Sequence, residues 1–512
     1  MNELAPCLMI QGTSSAVGKS VLATAFCRLF ARAGYRVAPF KSQNMALNSS
    51  VTVDGGEIGR AQAAQAEAAG VEPTVDMNPI LLKPEAHNRS QVVVRGRPVA
   101  TTTFREYARM KPGLLDLVRE SLERLRRMHD VVVIEGAGSP AEINLREGEI
   151  VNMRIARLAD APVLLVGDID RGGVFAAFVG TLALLPKEDR ARIAGFVINK
   201  FRGDAALLTP GFDELTARTG VPVLGVVPFI AELLVPAEDS LNLEDLERAN
   251  GPAALEVAVA RLPRIANFDD LEPLAREPGV RVRFVRRPAE VENADLIVLP
   301  GSKNTAEDLA WLRDAGLADA VTAAASAGRP VVGICGGYQM LGLAVHDPDG
   351  VESSAATTAG LGLLPVVTSL ERDKTTVRVR GRVGADAGPF ALAAGADIEA
   401  YEIHVGRTEV RAARRPFLVV AHRDRPVDER DGALNDAGNV VGTYLHGLFA
   451  NDALRRALLL YLAARRGVPA DPRWGAPSSA AARYDRLADV VGIACDLAAI
   501  GKLVGLDLGK GT

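Results

Sequence analysis

The sequence has few cysteines, few aromatic residues and little net charge. Four of its 512 residues are cysteine, at positions 7, 27, 335 and 495, and no two of them have the C-x-x-C spacing. A disulfide framework or a zinc site is therefore not expected, and a reducing cytoplasm suits the chain. Aromatic residues make up 5% and the net charge is -4. Without a basic surface or stacking platforms, nucleic acid is not expected as a partner.

Long apolar runs are also missing. No stretch approaches the roughly 20 apolar residues needed to span a bilayer, and the first twelve residues, MNELAPCLMIQG, lack the basic segment that opens a signal peptide. We therefore expect a cytoplasmic protein with no membrane segment. A chain of 512 residues is expected to form two or three domains, at about 100–200 residues each. Its composition leaves a homo-oligomer open.

Short apolar runs alternate with amphipathic stretches, and this alternation predicts the fold class. The first half contains LMIQG, YRVAPF, DVVVIEG, APVLLVGD, IAGFVINK and VPVLGVVP, and a second series begins at LEVAVARLP. Such runs predict α/β domains, each with a largely parallel sheet flanked by helices and with ligands at the carboxyl ends of the strands. We predict domains at 1–230 and 253–456, a linker at 231–252 and a helical C-terminal extension at 457–512.

The stretch GTSSAVGKS has the strand–loop–helix context of a phosphate-binding loop. Gly12 and Gly18 are separated by five residues, whereas the usual G-x-x-x-x-G-K-[ST] loop has four. Backbone N–H groups at the start of the helix would contact phosphate oxygens. Lys19 would reach the terminal phosphates of a nucleotide, and the Ser20 hydroxyl would bind Mg²⁺. The alternative interpretation is a glycine-rich turn before a helix.

Carboxylates close two further strands of the predicted first sheet. Glu135 ends DVVVIEG, where a parallel sheet places a metal ligand beside the phosphates, although a turn acid is the simpler alternative. Asp168 and Asp170 follow the strand APVLLVG. They could bind a second metal, orient Lys19, or hold Arg171 for a substrate carboxylate. The competing interpretation is a capped, charged turn.

The loop resembles that of the dethiobiotin synthetase family, in which the extra residue is regular. The segments FKSQN, GGEIGRAQ, MNPILLKPE, EGAGS and VINKF follow in the order found in that family. The resemblance implies ATP and Mg²⁺ as cofactors. It implies that Lys41 faces phosphate and substrate, that Glu57 and Glu135 bind magnesium, and that Asn199 reads the adenine edge. It further implies activation of a carboxylate as an acyl phosphate or a related mixed anhydride.

The stretch VVGICGGYQMLG predicts a nucleophile. An apolar strand leads directly into Cys335, and two glycines and a helix follow, which is the pattern of a nucleophile elbow. A cysteine near a helix N-terminus is favoured as the thiolate. The Gly336 N–H would be one oxyanion donor, and a second would come from Gly301 or Ser302 in LPGSKNT.

A thiolate nucleophile needs a base, and two histidines have a suitable context. His404 in YEIHVGRT and His446 in GTYLHGLF both follow strand-like runs and stand close before a glycine. The residues alone leave the choice open. VVGICGGYQMLG and GTYLHGLF together resemble class I glutamine amidotransferases of the cobyric acid synthase branch. That resemblance implies His446 as the catalytic histidine and a structural or substrate-facing His404. Leu448 stands where most class I glutaminases carry a glutamate.

The resemblance covers nearly the whole chain through six ordered motifs: KSQNMALNSS, EGAGSPAEINL, GDIDRGGVFA, INKFRGD, CGGYQMLG and GTYLHGLF. It implies amidation of the b, d, e and g carboxylates of adenosylcobyrinic acid a,c-diamide, with glutamine and a corrinoid as substrates. One alternative is cobyrinic acid a,c-diamide synthase, whose segment differs at KSQNMALNSS. Another is a partitioning ATPase of the ParA/MinD type, in which Cys335 and His446 would have no use.

Overall fold

The computed structural model describes residues 4–86, 88–230, 235, 253–477 and 479–509. The chain divides into two compact units. The first comprises Met1–Ala46, Ile58–Glu238 and Ser479–Thr512, and the second comprises Leu47–Glu57 and Asp239–Ser478. The predicted linker, 231–252, lies outside the described residues apart from Val235.

The first unit contains the parallel sheet predicted from the apolar runs. Met9 belongs to an apolar cluster with Phe178 on one face, whereas its neighbour Leu8 belongs to a cluster with Phe26 on the other. Burial on both faces explains why the strands are apolar throughout rather than alternating. The strands, all parallel, lie in the order Val37–Phe40, Val131–Glu135, Cys7–Gly12, Val163–Asp168, Ile193–Phe201 and Val223–Pro228.

Helices and a smaller sheet complete the first unit. The longest helix begins with a capping box, in which the Glu106 N–H donates to the Thr103 hydroxyl and the Thr103 N–H donates to the Glu106 carboxylate. The smaller sheet contains Gln43–Met45, Ile80–Ala86, Arg89–Val94 and Arg97–Thr103. The helices are Lys19–Arg32, Arg60–Ala69, Phe104–Met128, Met153–Ala159, Val174–Leu184, Lys187–Arg190, Thr209–Thr219, Ala480–Ala494 and Leu497–Leu503.

The C-terminal residues do not form the separate extension predicted at 457–512. The first part of that range completes the helix Asp452–Arg466 of the second unit. The helices Ala480–Ala494 and Leu497–Leu503 belong to the first unit, where Leu487 shares an apolar cluster with Phe26. The amphipathic pattern predicts these helices correctly, but it does not encode which sheet their apolar faces cover.

The second unit is built on another mainly parallel sheet. Its strands lie in the order Val280–Val285, Leu255–Ala260, Leu296–Leu299, Val331–Ile334, Val440–Thr443 and Ala433–Leu434, and the last of these is antiparallel to its neighbour. The helices of this unit are Glu272–Ala275, Thr305–Asp314, Leu317–Ser326, Gly336–Leu341 and Asp452–Arg466. The two sheets confirm the predicted α/β class.

A second sheet of this unit is largely antiparallel. Its two longest strands, Val366–Val383 and Asp397–Val410, pair with each other. The other strands of the sheet are Ala344–His346, Thr357–Ala359, Phe417–His422 and Arg425–Asp431, and a separate short pair joins Ile265–Ala266 to Gly301–Ser302.

One short segment departs from the predicted first domain at 1–230. Residues Leu47–Glu57 belong to the second unit, although the chain on both sides of them belongs to the first. Ser49–Val51 and Glu57–Gly59 form a two-stranded sheet, and the Arg378 Nε donates to the Val51 carbonyl at 2.9 Å. In the described part of the chain, no helix has both the length and the hydropathy needed to cross a membrane.

Candidate active site

Cys335 occupies a strained turn between a strand and a helix. The strand Val331–Ile334 ends directly before it, and the helix Gly336–Leu341 begins directly after it. Cys335 has φ 53° and ψ −108°, a conformation that non-glycine residues adopt rarely and that clusters at functional sites. A Cβ atom on Gly337 would lie 1.9 Å from the Leu299 carbonyl oxygen. Glycine is therefore required for the close approach that places the cysteine on this turn.

His446 is a buried histidine whose ring is hydrogen-bonded to a carboxylate of the second unit. The side chain is 1% exposed and follows the strand Val440–Thr443. Its Nδ1 lies 2.7 Å from Asp270 Oδ2, and its Nε2 has no hydrogen-bond partner among the described residues. Burial lowers the pKa of His446, but Asp270 and the neighbouring Cys335 side chain outweigh burial and raise the pKa to about 10. This arrangement favours the imidazolium form of His446 beside the Cys335 side chain.

Asp270 supplies the orienting carboxylate that is missing from its usual sequence position. It lies in the short 3₁₀ turn Phe268–Leu271 and is 4% exposed. Its Oδ1 accepts a hydrogen bond from the Gly447 N–H at 2.7 Å, so both carboxylate oxygens hold the histidine loop. Asp270 is not among the residues predicted from the sequence. The signal that could have found it is the acidic pair in NFDDLEP, which follows the strand Leu255–Ala260.

The two predicted oxyanion donors lie close to this pair. The Gly336 N–H is in the first turn of a helix, where N–H groups have no intrahelical acceptor. A Cβ atom on Gly336 would lie 2.9 Å from the Ser302 nitrogen, and one on Gly301 would lie 3.4 Å from His446 Cε1. The structure thus brings the peptide between Gly301 and Ser302 together with Gly336, Cys335 and His446.

His404 lies near the cysteine on a different strand. The carbonyl of its neighbour Ile403 accepts a hydrogen bond from the Cys335 sulfur at 3.5 Å. The His404 ring stacks on Tyr444, with centroids 3.9 Å apart, and its Nε2 lies 3.3 Å from Glu402 Oε2. These contacts occupy the ring, which agrees with a structural or substrate-facing residue better than with a base.

In the first unit, the phosphate loop joins the strand Cys7–Gly12 to the helix Lys19–Arg32. Gly18 has φ 99°, a left-handed conformation that favours glycine. The Lys19 Nζ donates to the Ser14 and Gly138 carbonyls, both at 3.1 Å. The Asn199 side-chain amide donates to the Val17 carbonyl at 2.8 Å, so Asn199 contacts the loop itself.

Glu135 is the centre of a cluster at the end of its strand. It is 1% exposed. Its Oε1 accepts hydrogen bonds from Ser20 Oγ at 2.9 Å and from Lys41 Nζ at 2.8 Å, and its Oε2 accepts one from Gln65 Nε2 at 2.6 Å. Gln65 is not among the residues predicted from the sequence, although its helix, Arg60–Ala69, begins within the segment GGEIGRAQ. The structure therefore brings Ser20, Lys41 and Glu135 together as predicted from the carboxyl ends of the strands.

The donor set of this cluster suits a magnesium ion. A hydroxyl and a carboxylate are hard oxygen ligands, and Mg²⁺ usually takes one or two carboxylates together with substrate phosphates and water. Among the described residues there is no group of three or more His, Cys, Asp or Glu side chains arranged to hold a metal. A magnesium site that is completed by nucleotide phosphates does not need three protein ligands of these types.

Two contacts of Glu57 lie within the second unit. Its Oε1 accepts a hydrogen bond from Ser49 Oγ at 2.7 Å and its Oε2 pairs with Lys374. The side chain is fully buried. Both carboxylate oxygens therefore serve the packing of the segment Leu47–Glu57, and these contacts add no support to the predicted magnesium role of Glu57.

Asp168 and Asp170 form ion pairs beside the phosphate loop. Asp168 Oδ2 lies 2.9 Å from Lys200 Nζ and 3.7 Å from Arg171 Nε. Asp170 Oδ1 lies 3.0 Å from Arg202 Nε. Lys200 also donates to the Ala16 carbonyl of the phosphate loop, at 2.8 Å. Lys200 was missed by the sequence analysis, and it connects the acidic pair to the loop.

Comparisons with known proteins identify related domains over both halves of the chain. A model of the CobQ/CobB/MinD/ParA nucleotide binding domain matches residues 8–241, and a model of the CobB/CobQ-like glutamine amidotransferase domain matches residues 256–454. Cobyric acid synthase from Sorangium cellulosum is 57% identical to this chain, over 98% of the chain and 99% of that protein. Cobyric acid synthase from Moorella thermoacetica is 51% identical over 98% of each chain. Cobyric acid synthase from Dehalococcoides mccartyi strain 195 is 50% identical over 97% of this chain and 98% of that protein. With both domains matched and full-length relatives at this level of identity, the chain belongs to the cobyric acid synthase family.

Proposed function

We propose that this chain amidates peripheral carboxylates of a corrinoid, with glutamine as the nitrogen source and ATP as the source of energy. As a member of its family it is an ATP-dependent, glutamine-hydrolysing amide ligase. Its substrate is adenosylcobyrinic acid a,c-diamide, and the b, d, e and g carboxylates become amides. The observation that carries the proposal is the Cys335, His446 and Asp270 arrangement, for which an ATPase switch has no use. The full-length relatives do not favour a cobyrinic acid a,c-diamide synthase.

The second unit releases ammonia from glutamine by a thioester mechanism. The Cys335 thiolate attacks the side-chain amide carbon of glutamine, and the developing oxyanion is stabilised by the Gly336 N–H and the peptide between Gly301 and Ser302. The His446 imidazolium gives a proton to the departing nitrogen, so that ammonia leaves and a thioester remains. The neutral imidazole then takes a proton from water, which attacks the thioester and releases glutamate and the thiolate. Asp270 holds the ring through both steps.

The first unit activates the acid to be amidated. ATP phosphates bind the loop that begins after Gly12, with Lys19 reaching the terminal phosphates. Ser20 and Glu135 would hold Mg²⁺, which supplies charge neutralisation on the phosphates when bound. A corrinoid carboxylate oxygen attacks the γ-phosphorus and ADP leaves, which gives an acyl phosphate. Ammonia then attacks the acyl carbon and phosphate departs with the shared oxygen.

The residues around the first site have separate tasks in this scheme. Lys41, paired with Glu135, faces the transferred phosphoryl group, and Asn199 fixes the loop while its position favours a role beside the adenine. Asp168, Asp170 and Arg171 form the charged edge that we assign to the substrate carboxylate. His404 faces the glutamine pocket. The reaction takes place in the cytoplasm, where the Cys335 thiol stays reduced, and a homo-oligomer is compatible with it.

The test is a product assay. The protein is incubated with ATP, Mg²⁺, glutamine and the diamide, and the corrinoid is followed by mass spectrometry. Each amidation exchanges a hydroxyl for an amino group, so a ladder of products with the corresponding small losses of mass is expected. Cobyrinic acid without amides is the parallel substrate, and its preferred use would point to the a,c-diamide synthase instead. Cys335→Ala is expected to abolish the use of glutamine and to keep the use of ammonium salts. Loss of both in a folded variant would mean that the thiol is structural.

A further inference from the structure

The turn that carries Asp270 is short and starts from an unusual backbone conformation. It comprises Phe268–Leu271 and is preceded by Asn267, which has φ 51°. A 3₁₀ turn of this length has few internal hydrogen bonds, so its position depends on contacts from outside. The distance of 2.7 Å between Asp270 Oδ2 and His446 Nδ1 therefore depends on what holds the turn.

Two hydrogen bonds to the turn come from the segment Leu47–Glu57, which we call the exchanged segment because it belongs to the second unit while the chain on both sides belongs to the first. The Ser49 N–H donates to Asn267 Oδ1 at 3.0 Å, and the Phe268 N–H donates to Asn48 Oδ1 at 3.3 Å. Asn48 is 1% exposed and Asn267 is 3% exposed. Removing either amide would take this acceptor away from a buried backbone N–H, which is unfavourable and favours movement of the turn.

The exchanged segment is itself fixed to the second unit by other contacts. Its last residue, Glu57, pairs with Lys374, and its Val51 carbonyl accepts a hydrogen bond from Arg378. The two asparagines thus connect a well-anchored segment to the turn beside the catalytic histidine. Two of the hydrogen bonds of these asparagines link the backbone of the segment to the backbone of the turn, and Asp270 in that turn contacts the imidazole. An effect of either asparagine on the reaction is therefore expected to pass through Asp270.

We propose that Asn48 and Asn267 are positioning residues for glutamine hydrolysis, because their reciprocal hydrogen bonds hold the Phe268–Leu271 turn so that Asp270 orients His446. The KSQNMALNSS motif, which the ATP site uses only in part, receives a role in the glutaminase through Asn48. The inference rests on the proposed use of Cys335 and His446 in glutamine hydrolysis.

The first variant is Asn267→Gly, which removes the amide acceptor and keeps a residue that adopts the left-handed conformation freely. We expect kcat for glutamine hydrolysis to fall by about tenfold to a hundredfold, since small displacements of catalytic groups have effects of this size. KM for glutamine and amidation with ammonium salts should stay unchanged. Asn267→Asp keeps an acceptor oxygen and should restore most of the rate. Ala412→Gly is the matched control, because Ala412 is an exposed residue of the same unit with φ 29°.

The second readout is the rate at which iodoacetamide alkylates Cys335 at different pH values. Loosening of Asp270 lowers the pKa of His446 from its raised value of about 10, so the part of the alkylation profile that follows the His446 imidazolium should lie at lower pH in Asn267→Gly and in Asn48→Ala than in the unchanged protein. Circular dichroism is recorded on the same variants, because unfolding would also expose the thiol and move this profile.

The outcomes separate the two proposals. Unchanged kcat and an unchanged alkylation profile in both variants, with active unchanged protein, would overturn the positioning role and leave the function intact. Loss of glutamine and ammonium activities together would also overturn it, because the asparagines would then support the fold. No glutamine-dependent amide formation by the unchanged protein would instead overturn the proposed function.

Discussion

Replacement of Asp270 by asparagine tests the electrostatics of the glutaminase site directly. The substitution keeps the shape of the side chain and an oxygen for the Gly447 N–H, but it removes the negative charge 2.7 Å from His446 Nδ1. Burial then acts on the imidazole without that charge, and the pKa of His446 falls from about 10 toward or below the ordinary value of 6.5. At neutral pH the ring becomes mostly neutral, and it no longer holds the proton that the departing nitrogen needs.

The size of the effect follows from the raised pKa. A rise of the His446 pKa from 6.5 to about 10 corresponds to roughly 5 kcal/mol, or a proton affinity larger by about 10³-fold. Asp270 and Cys335 together produce this rise of the pKa against the opposing effect of burial. The asparagine amide can also donate to Nδ1 and select the wrong tautomer, which in serine proteases costs about 10⁴-fold in kcat. We therefore expect kcat for glutamine hydrolysis to fall by about 10³-fold in Asp270→Asn.

The assay is glutamate release at pH values from acid to alkaline, with Asp269→Asn as the matched control from the same turn. The raised pKa also predicts the sign of a stability change. Protonation of His446 contributes stability that is fully present below pH 6.5 and is lost as pH rises through about 10. Asp270→Asn should remove most of this pH dependence of the free energy of unfolding. Equal kcat in the two aspartate variants, or an unchanged pH dependence of unfolding, would refute the reasoning.

Three further changes test other parts of the molecule. Glu135→Gln removes a buried carboxylate, and we expect amidation with ammonium to fall together with amidation from glutamine, while a higher Mg²⁺ concentration restores part of it; an effect confined to glutamine would contradict the metal site. Leu487→Ala should lower the free energy of unfolding by about 2–5 kcal/mol in urea denaturation, whereas Asp489→Ala, in an exposed ion pair, should change it by less than about 1 kcal/mol. In Gly337→Ala the new Cβ would lie 1.9 Å from a backbone oxygen of the neighbouring strand, so this change should abolish glutamine use and lower the thermal midpoint of unfolding. Gly180→Ala is the control, because a Cβ at Gly180 meets open space. It should leave glutamine use unchanged, and the thermal midpoint should stay the same or rise.

The parts of the fold that could be predicted are those with a local signal. Strands buried on both faces are apolar throughout, so the runs that end at Gly12, Glu135 and Asp168 are visible in the sequence. Because the carboxyl ends of parallel strands meet at one edge, residues far apart in the chain can be grouped from the amino-acid pattern alone. Ser20 and Glu135, which are 115 positions apart, form a hydrogen bond for this reason.

The parts that could not be predicted depend on which apolar surface a segment covers. The helix Ala480–Ala494 carries an ordinary amphipathic pattern, and its apolar face fits a first-unit cluster that contains Leu22 and Phe26. The amphipathic pattern does not indicate whether the helix covers the sheet of the first unit or the sheet of the second unit, which precedes the helix in the chain. The placement of Leu47–Glu57 in the second unit could not be predicted either. Glu57 pairs there with Lys374, which lies 317 positions away in the sequence.

The orienting carboxylate shows why a catalytic arrangement can be complete where a sequence motif is not. Leu448 occupies the usual glutamate position and is buried, while Asp270, 176 positions before His446, reaches the same imidazole nitrogen. The loops after neighbouring parallel strands lie at one edge of the sheet, so any of them can place a carboxylate beside Nδ1. The reaction requires a negative charge within hydrogen-bonding distance of Nδ1, and it does not require a particular order of residues along the chain. A search limited to acids that follow parallel strands of the second unit would therefore have reached NFDDLEP, whereas a search by spacing from the histidine could not.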